Sequence, residues 1–403
     1  VKVAILVPRR AGREDRDRIW AFCRAWWEND HSWPIVEGHH EDGPFNRSAA
    51  LNDAAARAGD WDAAVIIDAD VLIDAKQVRS AVSLALVTGG PVLAYDSRVH
   101  LSTRGTKRVL EGYRGNWLQG QGQVEATLID SCSGAYVVTR ELWDAVGGFD
   151  EAFSGWGWED VAFRCATETV SGIELVKISG KLFHLHHVVS AENNRLEETF
   201  QANKARGERY NQARFDFDAM DALLSESGRT RPPFASPAPA PARADATIPR
   251  ILHRTVPAEI DPQVESYWEH VAELHPDWEL RTWRDPLDPA DWPRTRDVWA
   301  KCTSGAQRAG LIRLEALVRD GGIYLDSDVE LYRPLDALLG VPAFAGWEDR
   351  KVVPDAVLGA CAGHPVFERM LEQAIRAVLL ELGAWESGPG VTTSMLPGRP
   401  DVL

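Results

Sequence analysis

Cysteine is scarce and unpatterned in this chain. Cys23, Cys132, Cys165, Cys302 and Cys361 are odd in number, scattered, and form no C-x-x-C pair. Neither a disulfide framework nor a zinc site is therefore indicated, and a reducing, cytoplasmic setting is expected. Basic residues are outnumbered, with 44 Lys and Arg against 60 Asp and Glu and a formal net charge of -16. Nucleic-acid backbones and anionic membranes both require basic surface, so neither is expected as a partner. Any anionic ligand would have to be held by local groups or by a metal. No apolar run reaches the roughly 18 residues of a membrane span, and no signal peptide is visible. Glycine is missing where a triphosphate cradle would need it. The stretch after the first expected strand, Val7-Pro-Arg-Arg-Ala-Gly-Arg-Glu14, has a single glycine, which argues against a nucleotidyltransferase.

What is present suffices for about two domains. The chain has 403 residues, 45% of them hydrophobic, against a usual domain size of roughly 100–200 residues. Apolar strands alternate with helical patterns. Strands are expected at 2–8, 33–37, 63–68, 91–95 and 133–139, and helices at 13–28, 48–58, 75–86 and 140–146, with a long closing helix over 191–224. The Gly-rich polar stretch 102–123 reads as a loop over a site. Arg231-Pro-Pro-Phe-Ala-Ser-Pro-Ala-Pro-Ala-Pro-Ala242 reads as an extended linker. The organisation expected is a domain at 1–225, a Pro/Ala-rich linker at 226–246 and a second domain at 247–403, cut short at its end. The second domain carries strands at 248–253 and 278–283 and helices at 264–274 and 305–319. Both domains are read as α/β with a mostly parallel sheet.

One device occurs twice. Ala63-Ala-Val-Ile-Ile-Asp-Ala-Asp70 is an apolar run that stops on two carboxylates, and Gly322-Ile-Tyr-Leu-Asp-Ser-Asp328 repeats it. Side chains alternate along a strand, so Asp68 and Asp70 would point the same way at its carboxyl end, where open parallel sheets bind ligands. Two convergent carboxylates there suit a divalent metal carrying phosphates. A lone Asp-x-Asp is more often a solvated turn or helix cap. The matching contexts of the two copies favour the metal.

Two further stretches stand beside the first copy. In Phe45-Asn-Arg-Ser-Ala-Ala-Leu-Asn52 a structural reading makes Asn46 or Ser48 a helix cap and leaves Arg47 in solvent. The functional reading places Arg47 on a diphosphate, which its fork geometry suits. Gly155-Trp-Gly-Trp-Glu-Asp160 can be two core tryptophans ahead of a helix whose first turn is acidic, or a base, Asp160, with Trp156 or Trp158 as a platform under a sugar ring. In this order Phe45-Asn46-Arg47, Asp68-Ala-Asp70 and Gly155–Asp160, together with Cys132-Ser-Gly-Ala-Tyr136 and Gly147-Gly-Phe-Asp-Glu151, resemble the β-1,4-galactosyltransferases and the bacterial chondroitin-polymerase-type glycosyltransferases of the GT-A fold. The resemblance covers roughly residues 1–215. It implies an inverting displacement with Asp160 as the base and Glu159 on the acceptor. Its donor is a nucleotide-sugar, UDP-linked, and its acceptor a glycan or glycoprotein hydroxyl. Asn46, Arg47 and Asp68 would serve the donor, with Pro8, Arg9 and Glu37 bordering the nucleobase.

The metal site would be completed from Phe183-His-Leu-His-His187. Lone histidines are more often structural than ligands, but the resembled family has a histidine after this strand that binds metal. Alignment with its pattern favours His187, then His184, although the family's two prolines are replaced by Val188 and Val189. Mn2+ or Mg2+ held by Asp70 and His187 would neutralise charge on the nucleoside diphosphate leaving group.

The second half carries Ile248-Pro-Arg-Ile-Leu-His253, Gly310-Leu-Ile-Arg313, Gly321-Gly-Ile-Tyr-Leu-Asp-Ser-Asp-Val329 and Ser387-Gly-Pro-Gly390. Over about residues 247–395 it resembles the DXD-containing sugar transferases that include fungal initiating mannosyltransferases and large clostridial toxins. That resemblance implies retention of configuration, with Asp326 at the nucleotide, Asp328 at the metal, and Arg313 and Tyr324 near the donor sugar and phosphate. Gly310 stands where the family has a sugar-binding Asp, and Val256 where it often has a base-stacking Trp. Each loss would weaken donor binding. The sequence thus supports a bifunctional glycosyltransferase, against an alternative in which the second domain is a non-catalytic glycan- or acceptor-binding module. A lectin is the non-enzymatic rival, which would need neither Asp160 nor a metal site shaped for diphosphate.

Overall fold

A computed structural model describes residues 1–41, 43–112, 123–129, 131–188, 198–228, 231–232, 246–348, 352–397, 399 and 401–403. Val189, the start of the expected closing helix, most of the Pro/Ala stretch and part of the expected loop at 102–123 lie outside the described residues. The chain divides into two compact units, Val1–Ala238 and Pro239–Leu403.

The first unit contains, in order, β1 (Val3–Pro8), α1 (Glu14–Asp30), β2 (Ile35–Gly38), α2 (Arg47–Arg57), β3 (Ala63–Ile67), β4 (Val71–Ile73), α3 (Ala75–Thr88), β5 (Val92–Leu93), β6 (Ser97–Leu101), α4 (Thr103–Leu110), β7 (Val124–Leu128), β8 (Ala135–Thr139), α5 (Arg140–Val146), α6 (Glu159–Ser171), β9 (Val176–Lys177), β10 (Lys181–His184), α7 (Glu198–Gln212) and α8 (Phe217–Glu226). One sheet has the order β2-β1-β3-β8-β5-β9, and all its strands but β8 run in one direction. Its central strands β1, β3 and β8 are buried throughout, as strands covered on both faces must be. A smaller sheet, β4-β10-β6-β7, begins where β3 stops. Trp27, Trp61, Phe149 and Phe163 fill the core around the large sheet.

The helix ends follow local chemistry. Asn46 caps α2 by accepting from the Ala49 amide at 2.9 Å. Asp74 does the same for α3 through Lys76, and Thr139 for α5 through Leu142. Such caps each stabilise a helix by about 1 kcal/mol. The expected closing helix is two. Phe215 takes φ +63° and Asp216 caps α8 through the Ala219 amide at 3.0 Å, so a short polar side chain competes with the helix and restarts it. The expected loop at 102–123 contains α4, which Ser102 caps through Gly105.

The second unit contains β11 (Ile251–Val256), α9 (Pro262–Leu274), β12 (Glu279–Arg284), α10 (Gly305–Asp320), β13 (Gly322–Leu325), β14 (Ala343–Ala345), β15 (Val357–Ala360), α11 (Pro365–Leu379), α12 (Ala384–Ser387) and α13 (Pro389–Met395). Its sheet has the order β12-β11-β13-β15-β14, with only β15 running against the rest. Both units are thus α/β with mostly parallel main sheets. Among the described residues no helix is long and apolar enough to cross a membrane.

Candidate active site

The Asp-Ala-Asp turn joins β3 of the large sheet to β4 of the small one, and strand register assembles what surrounds it. Val71 pairs with His184 on β10, and His184 pairs with His100 on β6. The Leu185 amide donates to the Asp70 carbonyl at 2.8 Å, pinning the segment after β10 beside the turn. Ligating atoms of Asp70, His184 and His187 consequently lie within 4.8 Å of one another, the only group of this kind among the described residues. Asp70 Oδ2 is 3.0 Å from His187 Nε2, and Oδ1 is 3.5 Å from His184 Nε2.

Electrostatics suit this group to a cation. Burial pulls His184 down to about 4, so its imidazole is neutral at neutral pH. Burial works to raise Asp70, but His184, His187 and Arg16 hold it below the usual carboxylate range. Asp70 Oδ1 is also buried with no hydrogen-bond partner, a costly arrangement unless something is bound there. An ionised carboxylate with a spare oxygen beside a neutral imidazole fits a divalent ion.

Arg47 ties the turn to the acidic start of α6. One guanidinium nitrogen donates to Asp68 at 2.9 Å and another to Asp160 at 2.5 Å, with Glu159 at 3.9 Å. Arg98 adds a contact to Asp68 at 3.4 Å and donates to Ser133 Oγ at 3.0 Å. Burial would raise Asp68, yet Arg47 and Arg98 keep it low. At Asp160 burial outweighs the pull of Arg47, and its carboxyl is raised. Burial and the neighbouring Asp160 push Glu159 up to about 7. Carboxyls displaced toward neutrality in a cleft are what a proton-accepting site requires.

These groups open into one cleft of about 1280 Å³, lined among others by Pro8, Arg9, Arg16, Arg47, Asp68, Asp70, Arg98, Trp156, Glu159, Asp160, His184 and His187. Trp156 is 37% exposed and stacks on Phe200 with ring centroids 5.5 Å apart, leaving an aromatic surface at the cleft wall.

Three expected site residues stand elsewhere. Asn46 is occupied as the α2 cap and donates to the Glu151 carbonyl at 2.7 Å. Glu37 lies behind Arg9, because its oxygens already accept from Arg9, Arg24 and the Trp20 indole at 2.6–3.0 Å. Trp158 packs into the core, and a Cβ at Gly207 of α7 would come within 2.6 Å of its ring. Among the cleft residues that were not expected, Arg98 and Arg16 carry charge beside the Asp-Ala-Asp turn. Arg98 shares a face with His100 on β6, a strand absent from those expected from the sequence. Arg16 sits among the many charges of α1, where nothing distinguishes it.

In the second unit Arg313 of α10 pairs with Asp326 and with Asp355 and lies over the Tyr324 ring, its guanidinium carbon 4.4 Å from the centroid. Tyr324 is fully buried and shares a 2.6 Å hydrogen bond with Thr255. Asp328 is exposed and belongs to no His/Cys/Asp/Glu cluster among the described residues, so the structure does not give it the companions Asp70 has. Gly310 is not simply a missing carboxylate. A Cβ there would lie 3.8 Å from Asp355 Oδ2, and one at Gly388 only 2.8 Å from it. Asp355 thus brings a carboxylate into the space beside Gly310, which the sequence did not signal. Val256 is buried at the end of β11.

Two family models match the chain, one in each half. Residues 128–188 match the family model described as the N-terminal domain of galactosyltransferase, and residues 261–345 match the glycosyltransferase sugar-binding region containing the DXD motif. The mannosyl phosphorylinositol ceramide synthase SUR1 of Saccharomyces cerevisiae is 30% identical over 165 residues, covering 39% of this chain and 40% of the relative. The inositol phosphoceramide mannosyltransferase 3 of Schizosaccharomyces pombe is 33% identical over 125 residues, covering 30% and 35%. The chain therefore spans two fifths or less of the length of these relatives. Among solved structures, PaToxG glycosyltransferase aligns with a TM-score of 0.33 at 17% identity, over 37% of this chain and 67% of that one. The catalytic domain of Drosophila β1,4-galactosyltransferase 7 aligns with a TM-score of 0.32 at 18% identity, over 50% and 79%. Each half of the chain thus carries a segment matched by a glycosyltransferase family model, galactosyltransferase-type in the first and DXD sugar-transferase-type in the second.

Proposed function

We propose that the first unit is an inverting GT-A glycosyltransferase that moves a sugar from a UDP-sugar to a hydroxyl of a glycan or glycoprotein. The observation that carries this reading is the convergence, in one cleft, of the Asp70–His184–His187 group with the Arg47 fork and the raised Asp160 carboxyl. Asp70, His184 and His187 would hold the divalent ion, and two imidazoles beside one carboxylate suit Mn2+ better than the oxygen-seeking Mg2+. Such an ion supplies charge neutralisation for a diphosphate leaving group.

The chain's own residues do the rest. Arg47 and Arg98 bind donor phosphate and ribose in concert with Asp68. Trp156 offers an apolar ring face to an acceptor sugar, and Glu159 accepts from one of its hydroxyls. Asp160 takes the proton of the attacking hydroxyl as that oxygen bonds to the anomeric carbon. The sugar–phosphate C–O bond breaks with its electron pair going to the diphosphate, and attack from the opposite face inverts the centre.

In the second unit Asp326, Arg313, Tyr324 and Asp355 support a second nucleotide-sugar site, retaining by family resemblance, with Asp328 as its exposed metal ligand. Asp70→Ala and Asp328→Ala variants, assayed for Mn2+-dependent transfer and hydrolysis across a panel of nucleotide-sugars, test both parts. The first should abolish activity on one donor. Full activity on every donor of Asp328→Ala and of an Arg313→Ala variant alike would leave the second unit a binding module.

A further inference from the structure

Arg16 of α1 occupies an unusual place for a cation. Its Nη2 lies 3.0 Å from His187 Nδ1 and 3.1 Å from His187 Nε2. The same Nε2 is 3.0 Å from Asp70 Oδ2. Arg16 Nε is buried without a hydrogen-bond partner, so this guanidinium is incompletely satisfied where it sits. It also lines the cleft. An arginine cannot shed its charge at any working pH.

We propose that Arg16 is the resident cation of the Asp70–His184–His187 site, which a divalent ion must displace, and that the displaced guanidinium is taken up by the donor's diphosphate. This rests on the reading of the cluster as a metal site. A divalent ion held by Asp70 and His187 would stand beside the guanidinium that now lies against the His187 ring, and two cations so close repel strongly in a partly buried cleft. The guanidinium therefore has to move. Its planar fork matches a phosphate, and its unpaired Nε is free to supply one arm of that fork. Metal and nucleoside diphosphate accordingly enter as a pair, and the metal alone binds weakly.

The test is Mn2+ titration of the full chain, followed by the loss of free-ion EPR signal, for wild type, Arg16→Gln, Arg16→Lys and Asp70→Asn, with and without UDP. Without UDP, Arg16→Gln should bind Mn2+ at least ten-fold more tightly than wild type, while Arg16→Lys, which keeps the charge, stays weak. Saturating UDP should strengthen Mn2+ binding to wild type by a larger factor than to Arg16→Gln. Asp70→Asn should remove the site. Equal Mn2+ affinity of wild type and Arg16→Gln without UDP, with Asp70→Asn still abolishing binding, overturns the role of Arg16 alone. Absence of Mn2+ binding in every variant, with or without UDP, overturns the metal reading and the role of Arg16 with it.

Discussion

Arg47→Met offers the sharpest test of how the cleft balances charge. The substitution keeps most of the side-chain bulk but leaves Asp68, Asp160 and Glu159 without the guanidinium they share. Arg47 is buried, with 13% of its side chain exposed, so solvent cannot replace it. Removing one member of a buried ionic group costs about 3–5 kcal/mol. For a unit of this size that corresponds to a fall in Tm of roughly 6–20 °C.

The pH dependence makes the test specific. Glu159 is raised in the fold from 4.5 to about 7, and Asp160 is raised as well. A group raised in the folded state binds its proton more tightly there, so its contribution is fully present below the unfolded pKa and is lost as pH rises through the folded one. At about 1.4 kcal/mol per unit, Glu159 alone costs the wild-type fold roughly 3 kcal/mol above pH 7. Without Arg47 both carboxyls rise further, and the deficit of the variant should be large at pH 8.5 and shrink by about half at pH 5.5. Differential scanning calorimetry of the full chain at the two pH values, following the first unit's transition, measures it. An equal deficit at both pH values, or a larger one at pH 5.5, would refute the shared-guanidinium account, and Arg47→Met/Asp160→Asn should recover part of the loss.

Other perturbations separate chemistry from packing. Asp160→Asn should lower kcat for transfer by about 10²–10⁴ while UDP still binds by calorimetry. The wild-type rate should rise with pH through the elevated Asp160 carboxyl. Gly207→Ala places a Cβ against the Trp158 ring, and the overpacking should cost about 1–3 kcal/mol in urea unfolding. Asp355→Ala leaves Arg313 with Asp326 alone, which should destabilise the second unit by about 1–3 kcal/mol and lower its Tm without moving the first unit's transition.

The α/β class was legible because the long apolar strands and their flanking helices are local patterns. α5 ends where Gly147 can take φ +76°, and α10 begins at the Ser304 cap; both are written within a few residues. Motif order singles out Arg47, Asp68, Asp70 and Asp160, and the structure brings these four to one cleft. The residues missed or misplaced depend on contacts far apart in the chain. Trp158 looks like a platform until Gly207 of α7 is seen to admit its ring. Glu37 looks free until Arg9, Trp20 and Arg24 converge on it. Asp355 has no local signature at all, since its role comes from the gaps left by Gly310 and Gly388.

The two Asp-x-Asp turns show why a motif alone does not define a metal site. Each follows a buried strand and presents two carboxylates, so the local cause is the same. Their partners differ. In the first unit β4 continues directly into a pairing with β10, and that register brings His184 and His187 to Asp70 while Arg47 takes Asp68. In the second unit β13 pairs with β15 instead. The segment leading into β15 contributes Asp355, a further carboxylate, and the positive charge comes from Arg313. Neutral nitrogen ligands near a carboxylate can hold a metal without adding charge. Asp326 and Asp355 are ion-paired directly to the Arg313 guanidinium, whereas the ion-pair partners of Asp70 are His184 and His187; carboxylates so paired are already compensated and gain less from a metal. The second site should consequently depend less on divalent metal than the first, because strand pairing beyond the motif decides which counter-charge each aspartate meets.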